Sequence, residues 1–286
     1  MQFAHMNSNI LELYGVSTTN ERVDWHMLIA NQQCPYLERK CVKIRKSQPD
    51  ISIGTCSVIH GSKGDAGVII CPHRFLERRQ IFLDCIHLLS LHEPGNELHK
   101  VSEVDLPGGS VDYVLASVRK GKVVDFVGIE LQALDTTGTI WPQRQKLLRE
   151  MGVDSSYDFE EKKPYGMNWK MTAKTILVQL HHKIETFEQL NRHLVLVIQD
   201  PVLDYMKREF NFGHVQQARM GDSMHFHSYS LKDGEETSKI SLTNRISTDA
   251  QGISKCLGMQ VSPSVELQVI LSTLQSKISQ RTLLYI

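Results

Sequence analysis

Apolar positions along the chain follow two rhythms. Between Asn168 and Asn191, Ile176, Leu177, Leu180, Ile184, Phe187 and Leu190 recur at spacings of three and four. That spacing predicts one long amphipathic helix. Val111 to Val118 and Val123 to Leu134 read as strands, and Arg119-Lys120-Gly121-Lys122 between them is a hairpin signal. His193 to Ile198 is a short unbroken apolar run, the mark of a buried strand, and Asp200-Pro201 opens a helix over Val202 to Phe210. Two more strands are predicted within 223–246, and a closing helix over Val265 to Ile278 after Ser262-Pro263. Upstream, residues 1–31 read as helix on the spacing of Ile10, Leu11 and Tyr14, with a second short run at Trp25 to Ile29. Short strands are expected at Thr55 to Ile59 and Ala66 to Ile70, and a helix over Leu76 to Leu91. Strands and helices alternate, so the expected fold class is α/β (α+β), a mixed central sheet flanked by helices.

Length and composition narrow the class. The chain has 286 residues, 41% hydrophobic and 22% charged, which excludes disordered and low-complexity proteins. The expected division is a helical and cysteine-bearing segment at 1–90, then a core with C-terminal strands and a helix at 91–286. Lys plus Arg and Asp plus Glu both total 32, so no general coat of positive charge attracts polyanions; a local basic cleft remains open. No apolar run approaches the ~20 residues of a membrane-spanning helix. Met1 to Tyr14 lacks the basic start of a secretory signal. A cytoplasmic location with reduced thiols is expected, with no membrane partner.

Four of the six cysteines, Cys34, Cys41, Cys56 and Cys71, crowd into one segment. In a reducing compartment such crowding favours a metal site over disulfides. The spacing, C-x6-C followed by two x14 intervals, has no C-x2-C knuckle, so buried free thiols are the alternative reading. Pro35, Pro72 and Gly54 lie beside these cysteines, and turns are where thiolates can converge on one ion.

The hairpin carries the second candidate chemistry. Glu130 and Gln132 are two apart and share a face of their strand. Asp112 joins them only if it opposes Glu130. An odd loop, Lys120-Gly121-Lys122 with glycine in the left-handed position, gives that register. It also pairs Val114 with Gly128, Ala116 with Phe126 and Val118 with Val124. A two-residue turn would put Asp112 opposite Ile129, because one residue of slip flips every side chain. Two facing carboxylates on an apolar ladder need a cation. Asp112, Glu130 and the carbonyl of Leu131 offer hard oxygen ligands suited to magnesium, which can activate a water against phosphorus. The alternative is an edge-exposed Asp and a solvated Glu at a strand end.

Asp112 followed by Gly128-Ile129-Glu130-Leu131-Gln132-Ala133-Leu134-Asp135 resembles the active site of the PD-(D/E)xK nucleases, in the NotI restriction endonuclease form where glutamine replaces the usual lysine. Cys34-Pro35-Tyr36-Leu37, Cys41-Val42-Lys43, Gly54-Thr55-Cys56-Ser57-Val58 and Cys71-Pro72-His73-Arg74 resemble that family's four-cysteine metal site in order and context. The resemblance runs to about residue 200. It implies a type II restriction endonuclease, a homodimer on double-stranded DNA that makes magnesium-dependent cuts at a palindromic, GC-rich site with a GGCC centre. Asp112, Glu130 and Gln132 are then catalytic. Cys34, Cys41, Cys56 and Cys71 hold a structural ion, iron or zinc, while Cys85 and Cys256 are ordinary buried thiols. His60 and His73 are alternative ligands on chemistry alone.

Gln132 donates a hydrogen bond but brings no charge. Either the metal does more of the activation, or another lysine approaches; Lys170 and Lys174 on the long helix are candidates, against a solvating role for both. Gln179 on that helix is a candidate donor to the site, and His182 reads as solvent-facing. For DNA contact, one basic run is Arg39, Lys40, Lys43, Arg45 and Lys46, and another is Arg74, Arg78 and Arg79; either is equally a solvated face. Gln143, Arg144 and Lys146, in the polar stretch Pro142 to Lys163, are candidates to reach base edges. Two other functions fit the same residues. One is a noncatalytic, metal-stapled, sequence-specific DNA-binding protein; the other is a repair nuclease acting on structured DNA.

Overall fold

The computed structural model describes residues 9–60, 67–153, 165–232, 234, 237–259, 272, 275 and 276. In chain order the main elements are β1 (Ile10–Leu13), β2 (Val16–Ser17), α1 (Trp25–Asn31), β3 (Thr55–Val58), β4 (Val68–Ile69), β5 (Glu97–Leu106), β6 (Gly109–Arg119) and β7 (Lys122–Leu131). Then follow α2 (Trp141–Glu150), α3 (Trp169–Gln189), β8 (His193–Gln199), α4 (Asp200–Glu209), β9 (Gln216–Gln217), β10 (Met224–Lys232), β11 (Lys239–Thr248) and α5 (Ala250–Cys256).

Seven strands form the central sheet in the order β9-β11-β10-β8-β7-β6-β5. β8 runs parallel to both β7 and β10, and the other pairs are antiparallel. The unbroken apolar run of β8 follows from this central place, since Leu194 to Ile198 are all buried. One face of the sheet is covered by α3, whose Ile176, Leu177, Leu180, Ile184 and Phe187 point into the core. Gly128 on β7 makes room for that helix, because a Cβ there would lie 2.4 Å from the Phe187 ring. The other face packs Tyr113, Leu115, Val127, Ile129, Val195 and Val197 against Phe75, Ile81 and Phe82.

The N-terminal segment departs from the expected helix. Ile10–Leu13 is a strand buried at every position, hydrogen-bonded to β2 and β3 in a small sheet of order β2-β1-β3-β4. A short apolar run buried on both faces has no period to separate strand from helix. Tyr14 and Gly15, both at positive φ, turn the chain after four residues. The helix expected over Leu76 to Leu91 is also broken. A 3₁₀ segment over Pro72–Arg79, one α-turn at Gln80–Leu83 and a 3₁₀ turn at Ile86–Leu88 replace it. Arg78 and Arg79 adopt left-handed φ there, which interrupts the helical hydrogen bonds. The closing helix expected at 265–278 falls almost wholly outside the described residues.

Arg74 explains the bend. Its guanidinium is completely buried, 2.9 Å from Glu12 of β1 and 2.9 Å from Glu77, and it donates to the Ser238 carbonyl at 2.7 Å. Ser57 donates to Glu12 at 2.6 Å, and Glu77 accepts the Ile240 N–H at 2.8 Å. This network joins the small sheet to the far end of the central one, and both hydrophobic clusters draw residues from either side of residue 90. Arg74 is therefore spent on the fold and leaves the basic run offered to phosphates.

Removing one member of such a pair strands the other charge. Arg74→Met should cost about 3–5 kcal/mol in urea unfolding, and Glu12→Leu/Arg74→Met should regain most of it.

Candidate active site

The β6–β7 hairpin sets the site through its register. Lys120 and Gly121, with φ of 51° and 71°, form a two-residue turn of the type that matches strand twist, and Arg119 pairs with Lys122. The expected three-residue loop is absent. The register is nevertheless the expected one at the site, because a bulge intervenes: Val118 pairs with Val123 but Ser117 with Asp125. The extra residue, Val124, shifts the ladder by one, and Val114 then pairs with Gly128 and Tyr113 with Ile129. The next pair in this register is Asp112 with Glu130, on one face.

Each carboxylate is held differently. Asp112 is exposed, and its Oδ2 accepts the Leu131 N–H at 2.8 Å. Glu130 is buried, and its Oε1 lies 2.5 Å from Lys183 Nζ on α3. Burial and the neighbouring Asp112 carboxyl raise the Glu130 carboxyl to about 7, while Lys183 pulls it the other way. Gln132 stands half-buried just beyond β7, its amide donating to the Ala133 carbonyl at 2.6 Å and its backbone N–H to Val197 at 3.0 Å. Asp112 and Glu130 are thus brought together, and Gln132 is turned onto its own backbone.

Lys183 was not among the sequence candidates. Lys170 and Lys174 are exposed. Lys183 was detectable in principle, since it sits three residues after Leu180 and four before Phe187, on the apolar stripe of α3. A charge on a buried stripe needs a partner. The turn before β6 fixes it from outside. Pro107-Gly108 crosses α3 so closely that a Cβ on Gly108 would meet the His182 carbonyl oxygen at 2.3 Å, and one on Gly109 the Lys183 Cε at 3.2 Å. Thr186 anchors the crossing by donating to the Pro107 carbonyl at 2.9 Å. Beside it opens a depression of about 450 Å³ lined by Gly108, Gly109, Ser110, Gln179, His182 and Lys183. Gln179 and His182 both face that opening.

The four cysteines are buried and unbridged. Cys34 lies in a short hairpin opposite Arg39, Cys41 follows that hairpin, Cys56 is in β3 and Cys71 follows β4. The thiols act on one another: Cys71 and Cys34 both raise Cys56, and Cys41 raises Cys34 and Cys71. Burial is the largest cause of all three upward shifts. Against it, N–H groups of Tyr36 and Leu37 point at the Cys34 sulfur, that of Gly15 at Cys56 and that of His73 at Cys71. Among the described residues, no three His, Cys, Asp or Glu side chains stand in ready-made ligand geometry. Cys85 and Cys256 are buried thiols whose pKa burial raises. His60 is exposed. His73 is drawn below the ordinary histidine range by burial, with nearby Asp112 acting in the opposite sense.

The candidate DNA contacts separate cleanly. Arg39, Lys40, Lys46, Arg78 and Arg79 are exposed. Lys43 reaches the Ile70 carbonyl at 3.0 Å, and Arg45 lies over the Trp141 ring at 4.5 Å. The polar stretch expected to reach bases begins as α2. Arg144 there is buried and donates to the Ile53 carbonyl at 2.6 Å and to Gln145 at 2.7 Å, so it supports the small sheet instead. Gln143 is half-buried and Lys146 exposed; residues 154–163 of that stretch lie outside the described ones.

A mixed sheet flanked by helices, with an acid pair at the end of its central hairpin, is consistent with a PD-(D/E)xK-like core. A family model described as restriction endonuclease NotI matches residues 28–242, about three quarters of the chain, and the chain belongs to that family. The match extends through β10 into β11, beyond the limit near residue 200 expected from the motifs. No curated protein matches the chain. Membership points to nuclease activity of the restriction-endonuclease kind and to DNA binding in general. Among the described residues, no helix is long and apolar enough to cross a membrane.

The Gly108 crossing is checkable by substitution. Gly108→Ala should lower stability by about 2 kcal/mol or more, and Gly121→Ala, with positive φ but open space around it, by about 1 kcal/mol. Chemical denaturation of the two variants measures the difference.

Proposed function

We propose that this protein is a type II restriction endonuclease that cuts double-stranded DNA at a specific palindromic site with magnesium, each subunit of a homodimer cutting one strand. The observation that carries the reading is the facing pair Asp112 and Glu130, one exposed and one buried, on a ladder whose bulge gives that register. The residues fit a divalent cation. Both offer hard oxygens, and a Glu130 carboxyl raised to about 7 is one whose negative charge is under-compensated. Magnesium bound there would lower the pKa of a water and polarise the phosphodiester. Asp112 is exposed, with its Oδ2 fixed by the Leu131 N–H. Glu130 presents its carboxylate from the buried side, and Gln132 can swing from the Ala133 carbonyl to donate to the attacking water.

Cys34, Cys41, Cys56 and Cys71 fit a structural iron or zinc ion. Burial, and then the neighbouring thiols, raise Cys34, Cys56 and Cys71; buried sulfurs become thiolates only with a cation among them, and the N–H groups aimed at these three suit thiolate ligands. Such an ion would pin the hairpin that carries exposed Arg39. That guanidinium acts on Tyr113 and His73, both of which also feel Asp112. Arg39 with Lys40 and Lys46 would then hold phosphates beside the acid pair.

With magnesium and plasmid DNA, Asp112→Ala and Glu130→Ala should each lose at least about a hundredfold in cutting. Both should keep sequence-specific binding in calcium by gel shift. Sequencing the fragment ends of the wild type should return one palindrome; specific binding without cleavage under any divalent ion supports the noncatalytic alternative instead.

Metal analysis of the purified chain should give about one iron or zinc per subunit. Serine at Cys34, Cys41, Cys56 or Cys71 should abolish it, and Cys85→Ser should not.

A further inference from the structure

We propose that Lys183, delivered by α3 and not by the catalytic strand, is the positioned cation of this site: it is the internal counter-ion of Glu130 that an incoming divalent ion must displace. The inference rests on the nuclease reading above and assigns a residue to it. Three observations carry it. Lys183 Nζ is 2.5 Å from Glu130 Oε1, with side chains only 10% and 7% exposed, so the pair is closed off from solvent competition. Gln132, at the position where a strand lysine would stand, has its amide on the Ala133 carbonyl and carries no charge. The Pro107-Gly108-Gly109 crossing grips the helix at His182 and Lys183, leaving no room for a Cβ at Gly108.

A lysine held only for stability would not need this placement. Leu180 and Phe187 bracket it on an apolar stripe, where leucine would bury well without a desolvation cost. The ammonium holds Glu130 Oε1 and so fixes that carboxyl on the face it shares with Asp112. It also lines the open depression beside Ser110 and Gln179. With a divalent ion held by Asp112 and Glu130, the Lys183 ammonium would stand beside the acid pair as the positive charge that Gln132 lacks. Lys183 is thus a positioning residue acting through Glu130.

The test compares wild type, Lys183→Met, Lys183→Arg and Lys183→Met/Gln132→Lys, with Asp112→Asn as the inactive control. Plasmid cutting in magnesium is one readout, and manganese binding to the DNA-free protein by titration calorimetry is the other. Lys183→Met should cut at least about a hundredfold more slowly yet bind manganese more tightly than wild type, because nothing competes for Glu130. Lysine moved onto the strand in the double variant should recover cutting by about tenfold or more over Lys183→Met, and Lys183→Arg should remain between. Cutting by Lys183→Met within about threefold of wild type overturns the proposal. So does equal manganese affinity in the two. If Lys183→Met does not fold, Lys183→Gln, which keeps a donor without charge, takes its place with the same expectations. Should wild type cut no better than Asp112→Asn, the nuclease reading fails. The manganese comparison then decides the counter-ion role of Lys183 by itself.

Discussion

Two acids on neighbouring strands over an apolar sheet must be compensated, and this requirement organises the site. Glu130 is the costly member, because it is buried while Asp112 is exposed. Its compensation comes from Lys183, one side chain on a helix packed across the same face. Placing that helix depends on Gly128, which admits the Phe187 ring, and on Gly108, which lets the β5–β6 turn cross at backbone distance. A substitution at either glycine would move the cation away from the acid before it touched any chemistry. The acid pair therefore constrains the fold as much as the fold positions the pair.

Legibility followed burial. The long helix, β8 and the two hairpin strands were readable because each has one buried face or two, and the apolar pattern reports that directly. β5 gives no such signal, since most of its ten residues are exposed on an edge. β1 is ambiguous in the sequence because four consecutive buried residues contain no period. The facing of Asp112 and Glu130 was anticipated on a three-residue loop, whereas the molecule combines a two-residue turn with a bulge. Nothing in Val123-Val124 marks which residue bulges, so counting along a ladder could give the right register for the wrong reason. Arg74 and Arg144 show the converse problem. Each sits in a basic or polar context that suggests DNA, and each is consumed by a buried network whose partners lie far off in sequence.

Lys183 is the residue on which the two kinds of reading meet. Periodicity places it on the inner face of α3, and a charge there requires an unspecified partner; the fold supplies the identity of that partner. On the proposed reading, the strand carries an uncharged Gln132 where a lysine would serve. A glutamine there and a buried lysine across the sheet are two local irregularities that offset each other. Read singly, the first suggests a weakened site and the second a core defect. Read together under the proposed function, they place the one positive group beside the carboxylates on the helix instead of the strand.

The cysteine segment bears on the same site from the other side. Its hairpin carries Arg39, whose charge reaches His73 and Tyr113, and these residues are also within the field of Asp112. That segment has few buried apolar side chains of its own between Gln33 and Ile53, so packing alone anchors it weakly. On the proposed reading, an ion held by the four thiols would supply the rigidity that packing does not. A cation contact meant to hold a phosphate within reach of two acids needs that rigidity more than it needs affinity, because misplacing the phosphate by an ångström forfeits most of the advantage of orientation. On the proposed reading, an ion held by the four cysteines and the acid pair would be parts of one device, the first fixing where the substrate backbone lies and the second acting on it.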